Sequence, residues 1–300
     1  MILAAALLLD ALLGEPRWLW SRATHPAVLM GRTVATLDRT LNTGAFRRAR
    51  GILALALLIA LALATAALIA VIPLGPLPEL ITAAILLAQR SLVDHVRAVA
   101  DALRLSTPEG RRAVAMIVSR DTTMMDDTAI ARSAIESASE NLSDGVIAPA
   151  FWFAVAGLPG LLIYKFTNTA DSMIGYRTPR HEQFGWASAR FDDLLNLVPA
   201  RLTALLIATT TGQLRQMRAI RADAALHKSP NAGWPEAAMA RALDIALAGP
   251  RSYDGRLQSF PFVNPTARHI LTADDIAAAI AVLWRAWALA LAAAALIAIA

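Results

Sequence analysis

The sequence predicts an all-α, polytopic helical integral membrane protein, one membrane-embedded domain over residues 1–300. Three observations carry that prediction. Hydrophobic residues make up 57% of the chain against 17% charged, and the mean hydropathy of +0.50 is too high for an ordinary soluble domain. Several apolar runs approach or reach the length needed to cross a bilayer. Basic residues gather at the flanks of those runs, where the positive-inside rule places them. The net charge of +5 is therefore a signature of membrane flanks and not of nucleic-acid binding, since no aromatic interleaving or recognition motif accompanies it. The chain has no cysteine, which removes disulfides, thiolate nucleophiles, iron–sulfur clusters and cysteine-based zinc sites.

The elements follow in order. Residues 1–9 are apolar until Asp10 interrupts them; with no basic n-region or small-residue cleavage site, they read as a short first helix over 1–13, spanning or re-entrant, and not as a removed signal peptide. Residues 51–72 carry no charge and as a helix would cover roughly 33 Å, a full crossing. Pro73, Gly75, Pro76 and Pro78 break the chain, and 77–90 reads as the returning span of a helical hairpin. Arg47, Arg48 and Arg50 before the hairpin and Arg90, Arg97 and Arg104 after it place both flanks in the cytoplasm. Leu92, Val96, Val99 and Leu103 then form one stripe opposite Asp94, Arg97, Asp101 and Arg104, an amphipathic helix. Thr107-Pro108 is a helix start for a segment running to Val118.

On a helix within 120–144, Ile130, Ala134, Ala138 and Leu142 share a face, and Arg132, Glu136, Glu140 and Asp144 recur every four residues, drifting only about 40° per step. Two readings stand open: a solvated face with an Arg132–Glu136 pair, or acids that with Asn141 converge where the chain enters the membrane, an expensive place for unpaired carboxylates. Residues 146–164 contain Pro149, Gly157, Pro159 and Gly160, and 197–211 contain Pro199 and Arg201, so each reads as a full span, a kinked helix or a re-entrant segment. Residues 276–300 form the last span, interrupted only by Arg285.

Three polar clusters stand out. Asn141 and Asp144 repeat as Asn168 and Asp171, each pair facing one way on a helix, and Arg190, Asp192, Asp193, Asn196 and Arg201 form the third. Carboxylates and amides of this kind suit Mg²⁺, which takes one or two carboxylates with substrate phosphates, while guanidinium groups suit phosphate or carboxylate. No Walker A loop, nucleophile elbow or zinc-spaced histidine pair is present.

With LLLDALLGEPRW, HPAVLMGR, SRDT, ESASENLSDGVIAPAFW, YKFTNTADSMIGYR, FGWASARFDDLLNLVPARLTA and SPNAGWPEAAMARALDIALAGPRSYDG in that order, the chain resembles the CobD/CbiB family of cobalamin biosynthesis nearly end to end. The resemblance implies an adenosylcobinamide-phosphate synthase of the bacterial inner membrane, multi-pass, with a cytoplasmic active site. Its implied reaction joins the free propionate of adenosylcobyric acid to the amine of (R)-1-aminopropan-2-ol or its O-phosphate. A carboxylate and an ammonium do not condense unaided at neutral pH, so ATP is the expected cosubstrate and Mg²⁺ the expected ion. The lipid bilayer is the expected environment, nucleic acid is not a partner, and a homo-oligomer is left open.

Roles then follow from side-chain chemistry alone. Glu140, Asp144, Asp171, Asp192 and Asp193 are the expected catalytic carboxylates, with Asp144, Asp171 and Asp192 as metal ligands. Asn141, Asn168 and Asn196 would orient substrates, and Arg120, Arg177, Arg190 and Arg201 would meet phosphates or the propionate. His25, His227 and Asn231 would hold the corrin's amide periphery, with Trp18 or Trp234 as an apolar wall. A Mg²⁺-dependent intramembrane prenyl-transferase-like enzyme would call for paired, longer aspartate motifs and more complete spans, and a transporter for less polar chain. If 146–164 crosses the bilayer completely, however, Asp171 lies on the side opposite Asp144. A cytoplasmic site therefore predicts that single cysteines introduced at 144 and 171 label from the same face of the membrane; labelling from opposite faces would reject it.

Overall fold

A computed structural model describes residues 1–253 and 256–299; Asp254 and Gly255 of the SYDG motif and Ala300 of the last expected span lie outside the described residues. The helices in chain order are α1 (Ile2–Leu13), α2 (Arg17–Trp20), α3 (Pro26–Leu41), α4 (Arg47–Ala70), α5 (Leu77–Leu86), α6 (Gln89–Leu105), α7 (Thr107–Val114) and α8 (Asp127–Leu142). A π-turn over Ser143–Ile147 leads into α9 (Ala148–Ile174), followed by α10 (Trp186–Leu195), α11 (Leu197–Thr210), α12 (Met217–Ala224), α13 (Gly233–Leu243) and α14 (Ala273–Ile299). Between α13 and α14 lie short strands the sequence did not predict: β1 (Leu247–Ala248), β2 (Arg251–Tyr253), β3 (Arg256–Gln258) and β4 (Phe262–Val263), with β1 antiparallel to β4 and β2 to β3. The chain divides into two compact units: residues 1–88, 148–197 and 294–300, and residues 89–147 and 198–293.

In the first unit, α4 buries Gly51, Ala54, Leu58, Ala62 and Ala66 at spacings of three and four and leaves Leu53, Leu57, Leu61 and Leu68 exposed. A narrow stripe of mostly small residues on an otherwise apolar cylinder is the pattern of a membrane helix that packs closely on one side and meets lipid on the other. Against α4 lie α9 and α10. Among the described residues, three helical segments are long and apolar enough to cross a membrane: Arg47–Ala70, Asp127–Ile174 and Ala273–Ala298. The expected span over 77–90 is not a continuous helix: α5 ends at Leu86, Leu87 is extended, and α6 starts at Gln89. Ten residues reach only about 15 Å, half a hydrocarbon core.

The segment 146–164 does not cross as one rod. Ala156 and Gly157 leave helical geometry, Gly157 with φ of 61°. The chain reverses there. A Cβ on Gly160 would lie 2.4 Å from the carbonyl oxygen of Trp152, and Ala148 packs with Tyr164, contacts between residues eight and sixteen apart that a straight helix would separate by roughly 12 and 24 Å. α9 is thus a helical hairpin with one arm over 148–155 and the other over 158–174. In contrast, α11 is an unbroken helix, because Pro199 falls in its first turn, where no intrahelical N–H bond is lost.

In the second unit, Val96, Val99 and Leu103 of α6 and Ile130, Ala134, Ala138 and Leu142 of α8 form one core with α13 and α14, as their periodicities predict. Ser106, one residue before the expected cap, accepts the N–H of Glu109 to start α7, which stops at Val114. Asp126 accepts the N–H of Ala129 to start α8. Thr272 and Asp275 cap α14, the N–H of Thr272 donating to Asp275 Oδ2 at 2.8 Å.

The hairpin makes a specific demand on two glycines. A valine at 157 must adopt a left-handed backbone, costing about 1–2 kcal/mol, and one at 160 collides with the opposing carbonyl. Gly157→Val and Gly160→Val are each expected to lower the melting temperature of the detergent-solubilised protein; unchanged melting in both would mean that the chain does not reverse there.

Candidate active site

The chemistry of the second unit gathers on α8. This helix is buried on most sides, including Ser133, Glu136, Ser137 and Ser139, so the charged stripe leaves solvent at Glu136 while Glu140 stays exposed. Glu136 is 4% exposed. A carboxylate at that depth needs charge and hydrogen-bond partners on both oxygens. Oε1 accepts the backbone N–H of Ala248 at 2.7 Å; Oε2 accepts Arg120 Nη2 at 2.8 Å and lies 3.0 Å from Arg251 Nη2. The Arg132–Glu136 pair does not form. Arg132 instead donates to the carbonyls of Ala246 and His269 and lies over the Phe262 ring, because both arginines that reach Glu136 arrive from other segments.

The backbone that meets Glu136 is bent for it. Ala248 and Gly249 both have positive φ, 58° and 79°, and a side chain on Gly249 would run into the ring of Phe262. A left-handed alanine is uncommon and is held here by the surrounding contacts.

Glu236 on α13 is equally deep. Its Oε1 lies 3.4 Å from Arg251 Nη2 and its Oε2 lies 3.8 Å from His227 Nε2, both long contacts. Burial, reinforced by the nearby Glu136, pushes the Glu236 carboxyl up to about 8. Burial also lowers the pKa of His227, which favours a neutral imidazole. One turn beyond Glu136, Glu140 is exposed and its carboxylate makes no hydrogen bond or ion pair among the described residues, with Arg120, Arg251 and Glu136 in electrostatic reach. Asn141 is also exposed and donates to Ser137, and Asp144 lies in the π-turn. Arg201 donates to Asn231 Oδ1 at 3.3 Å and lies over Trp234, so three residues expected near substrate are neighbours.

The first unit holds a separate cluster. The buried Asp192 accepts Asn196 Nδ2 at 2.9 Å and Asn168 Nδ2 at 3.3 Å, while Tyr164 donates its hydroxyl to Asn196 at 3.1 Å. Burial first, then the charge of Asp171, pushes Asp192 up to about 7. Among the described residues no group of three or more histidines and carboxylates converges as a ready-made metal site. Asp171 and Asp192 nevertheless suit an ion that takes one or two carboxylates and completes its shell with substrate phosphates. Asp144 belongs to the other unit.

The remaining expected residues are placed differently. Asp193 pairs with Arg190 at 3.0 Å along α10, and Arg177 is exposed. His25 caps α3 by accepting the N–H of Ala27 and packs edge-on against Trp20; Trp18 is exposed. Sequence reasoning missed Glu236 and Arg251 as site residues and had Arg132 and Glu136 only as parts of a stripe. Glu236 and Arg251 lie inside the SPNAGWPEAAMARALDIALAGPRSYDG stretch, but nothing in their spacing points to α8.

The proton on Glu236 makes stability depend on pH. Between the ordinary carboxylate value of 4.5 and about 8, the folded protein keeps a proton that the unfolded chain has lost, so stability falls as pH rises through that window. Glu236→Gln is expected to flatten the decline: melting temperatures between pH 6 and 8.5 should fall more for the wild type than for the variant. Parallel curves would mean that Glu236 titrates as an ordinary carboxylate.

The chain matches the family of CobD/Cbib proteins over residues 3–283. It is 50% identical over 302 residues to the cobalamin biosynthesis protein CobD of Sinorhizobium fredii (strain NBRC 101917 / NGR234), covering 95% of this chain and 93% of that one. It is 45% identical over 301 residues to the protein of that name from Brucella suis biovar 1 (95% and 92%), and 46% identical over 281 residues to that of Rhodobacter capsulatus (91% and 89%). No solved structure matches.

Proposed function

Because the chain belongs to the CobD/CbiB family, we propose that it works in cobalamin biosynthesis as a membrane enzyme that forms an amide bond at the expense of ATP. The substrates are the free propionate carboxylate of adenosylcobyric acid and the amine of (R)-1-aminopropan-2-ol or its O-phosphate. The observation that carries this reading is identity of 45–50% to proteins named for cobalamin biosynthesis over 95% of the chain.

The side chains supply chemistry that fits it. In the simplest sequence, the propionate attacks the terminal phosphorus of ATP, giving an acyl phosphate and ADP; the amine then attacks the acyl carbon, phosphate leaves, and the amine loses a proton. Guanidinium groups neutralise both phosphate and carboxylate, and Arg120 and Arg251 are held ready for this by the shared Glu136. Glu140, exposed and uncommitted, is the proposed acceptor for the amine proton. Within the first unit, Asp171 and Asp192 are the proposed ligands of Mg²⁺.

Membranes holding the protein, given adenosylcobyric acid, ATP, Mg²⁺ and each amine donor in turn, are expected to yield a corrinoid heavier by the donor less one water, read by mass spectrometry. Asp171→Ala or Asp192→Ala should abolish that gain while the protein still inserts. No gain with either donor would overturn the assignment, and near-normal turnover in both variants would remove those two aspartates from it.

A further inference from the structure

In front of Glu136 the second unit encloses a cavity of about 310 Å³, with Arg120, Arg132 and Arg251 in its wall, Asp121 and Met124 also lining it, and Ala248 beside them. The three guanidinium groups differ in what meets them. Glu136, behind it, is shared by Arg120 and Arg251. Arg132 spends its donors on the neutral carbonyls of Ala246 and His269. Asp121 accepts the N–H and hydroxyl of Thr123. Arg132 is thus the one guanidinium of the three with no carboxylate at ion-pair distance among the described residues, while Arg120 and Arg251 share Glu136 and Arg251 also reaches Glu236; a cation so placed beside a partly enclosed space attracts an anion more strongly than it would in bulk water.

The volume narrows the class of anion. It falls at the bottom of the roughly 300–1,000 Å³ range of small-molecule sites, and a corrin macrocycle is far larger than the drug-sized ligands that fill such sites. We propose that this cavity is the receptor for a terminal phosphate group carried by a small molecule, with Arg120, Arg132 and Arg251 as its binding residues and Glu136 as the residue that positions two of them. The corrin ring stays outside. The inference rests on the ligase reading for the identity of the phosphate carrier, which is either a phosphorylated amino alcohol or the triphosphate tail of a nucleotide.

Binding is measured on the full-length, detergent-solubilised protein without any corrinoid, so that its outcome is independent of whether ligation occurs. The probes are inorganic phosphate, 1-aminopropan-2-ol, its O-phosphate, and a non-hydrolysable ATP analogue. At least one phosphorylated probe is expected to bind, to be displaced by inorganic phosphate, and to weaken as salt rises; the unphosphorylated amino alcohol should not compete. The phosphorylated probe that binds identifies the carrier.

Arg132→Gln should weaken binding at least tenfold. Because Arg132 also holds loop carbonyls, a second pair of variants keeps the test clear of folding. Met124 lines the cavity but is 86% exposed. Met124→Glu should weaken phosphate binding about threefold and Met124→Lys tighten it similarly, as a single charge at the rim of the cavity would. The same changes at Met116, 80% exposed and outside the cavity wall, should do nothing. Equal affinity in the Met124→Glu and Met124→Lys proteins, or no binding of any phosphorylated probe, would overturn the proposal.

Discussion

A carboxylate that is 4% exposed on a buried helix has to be neutralised where it stands, and Glu136 achieves this by gathering two other stretches of chain. Arg120 comes from the segment before α8, while the N–H of Ala248 and the guanidinium of Arg251 come from the strand region more than a hundred residues later. Removing both arginines would leave uncompensated charge in a low-dielectric interior, at a cost of about 3–5 kcal/mol. The positive φ at Ala248 and Gly249 and the close approach of Phe262 to Gly249 are consequences of bringing that N–H to the carboxylate. The cavity bounded by three arginines is another, since the residue that fixes Arg120 and Arg251 also sets what remains of their charge to face a ligand.

The first unit is organised by a different constraint. Backbone inside an apolar environment must satisfy its own hydrogen bonds, so a chain that turns back there does so as two short helices around one break. Ala156 and Gly157 provide the break, and Gly160 lets the arms approach to backbone distance. The arm over 158–174 then carries Tyr164 and Asn168 to Asn196 and Asp192 on and beside α10, a chain of hydrogen bonds that orders the second carboxylate cluster.

Much of the fold was legible in the residues. The stripes on α6 and α8 are the core they predicted, and the apolar runs at 51–72 and 276–300 correspond to α4 and α14. The glycines and prolines of 146–164 announced a departure from a straight crossing. Where reading failed, it failed on length and partner. The run over 77–90 is apolar enough to suggest a crossing, but composition does not register that Leu87 is extended. Arg132 and Glu136 have the i,i+4 spacing of a helical ion pair, worth only a few tenths of a kcal/mol on a surface, and a buried carboxylate offered two better-placed arginines outcompetes it.

What the sequence determined by itself was what depends on local order: helical class, apolar blocks and the family, because periodicity and motif order are properties of neighbouring residues. The tertiary structure alone decided which carboxylates are buried and which guanidinium groups answer them. Burial turns a surface pair into a spectator and makes long-range partners necessary, and it depends on packing between segments that share no spacing in the chain. Glu236 and Arg251 carry no signal of their role until the fold sets them beside Glu136.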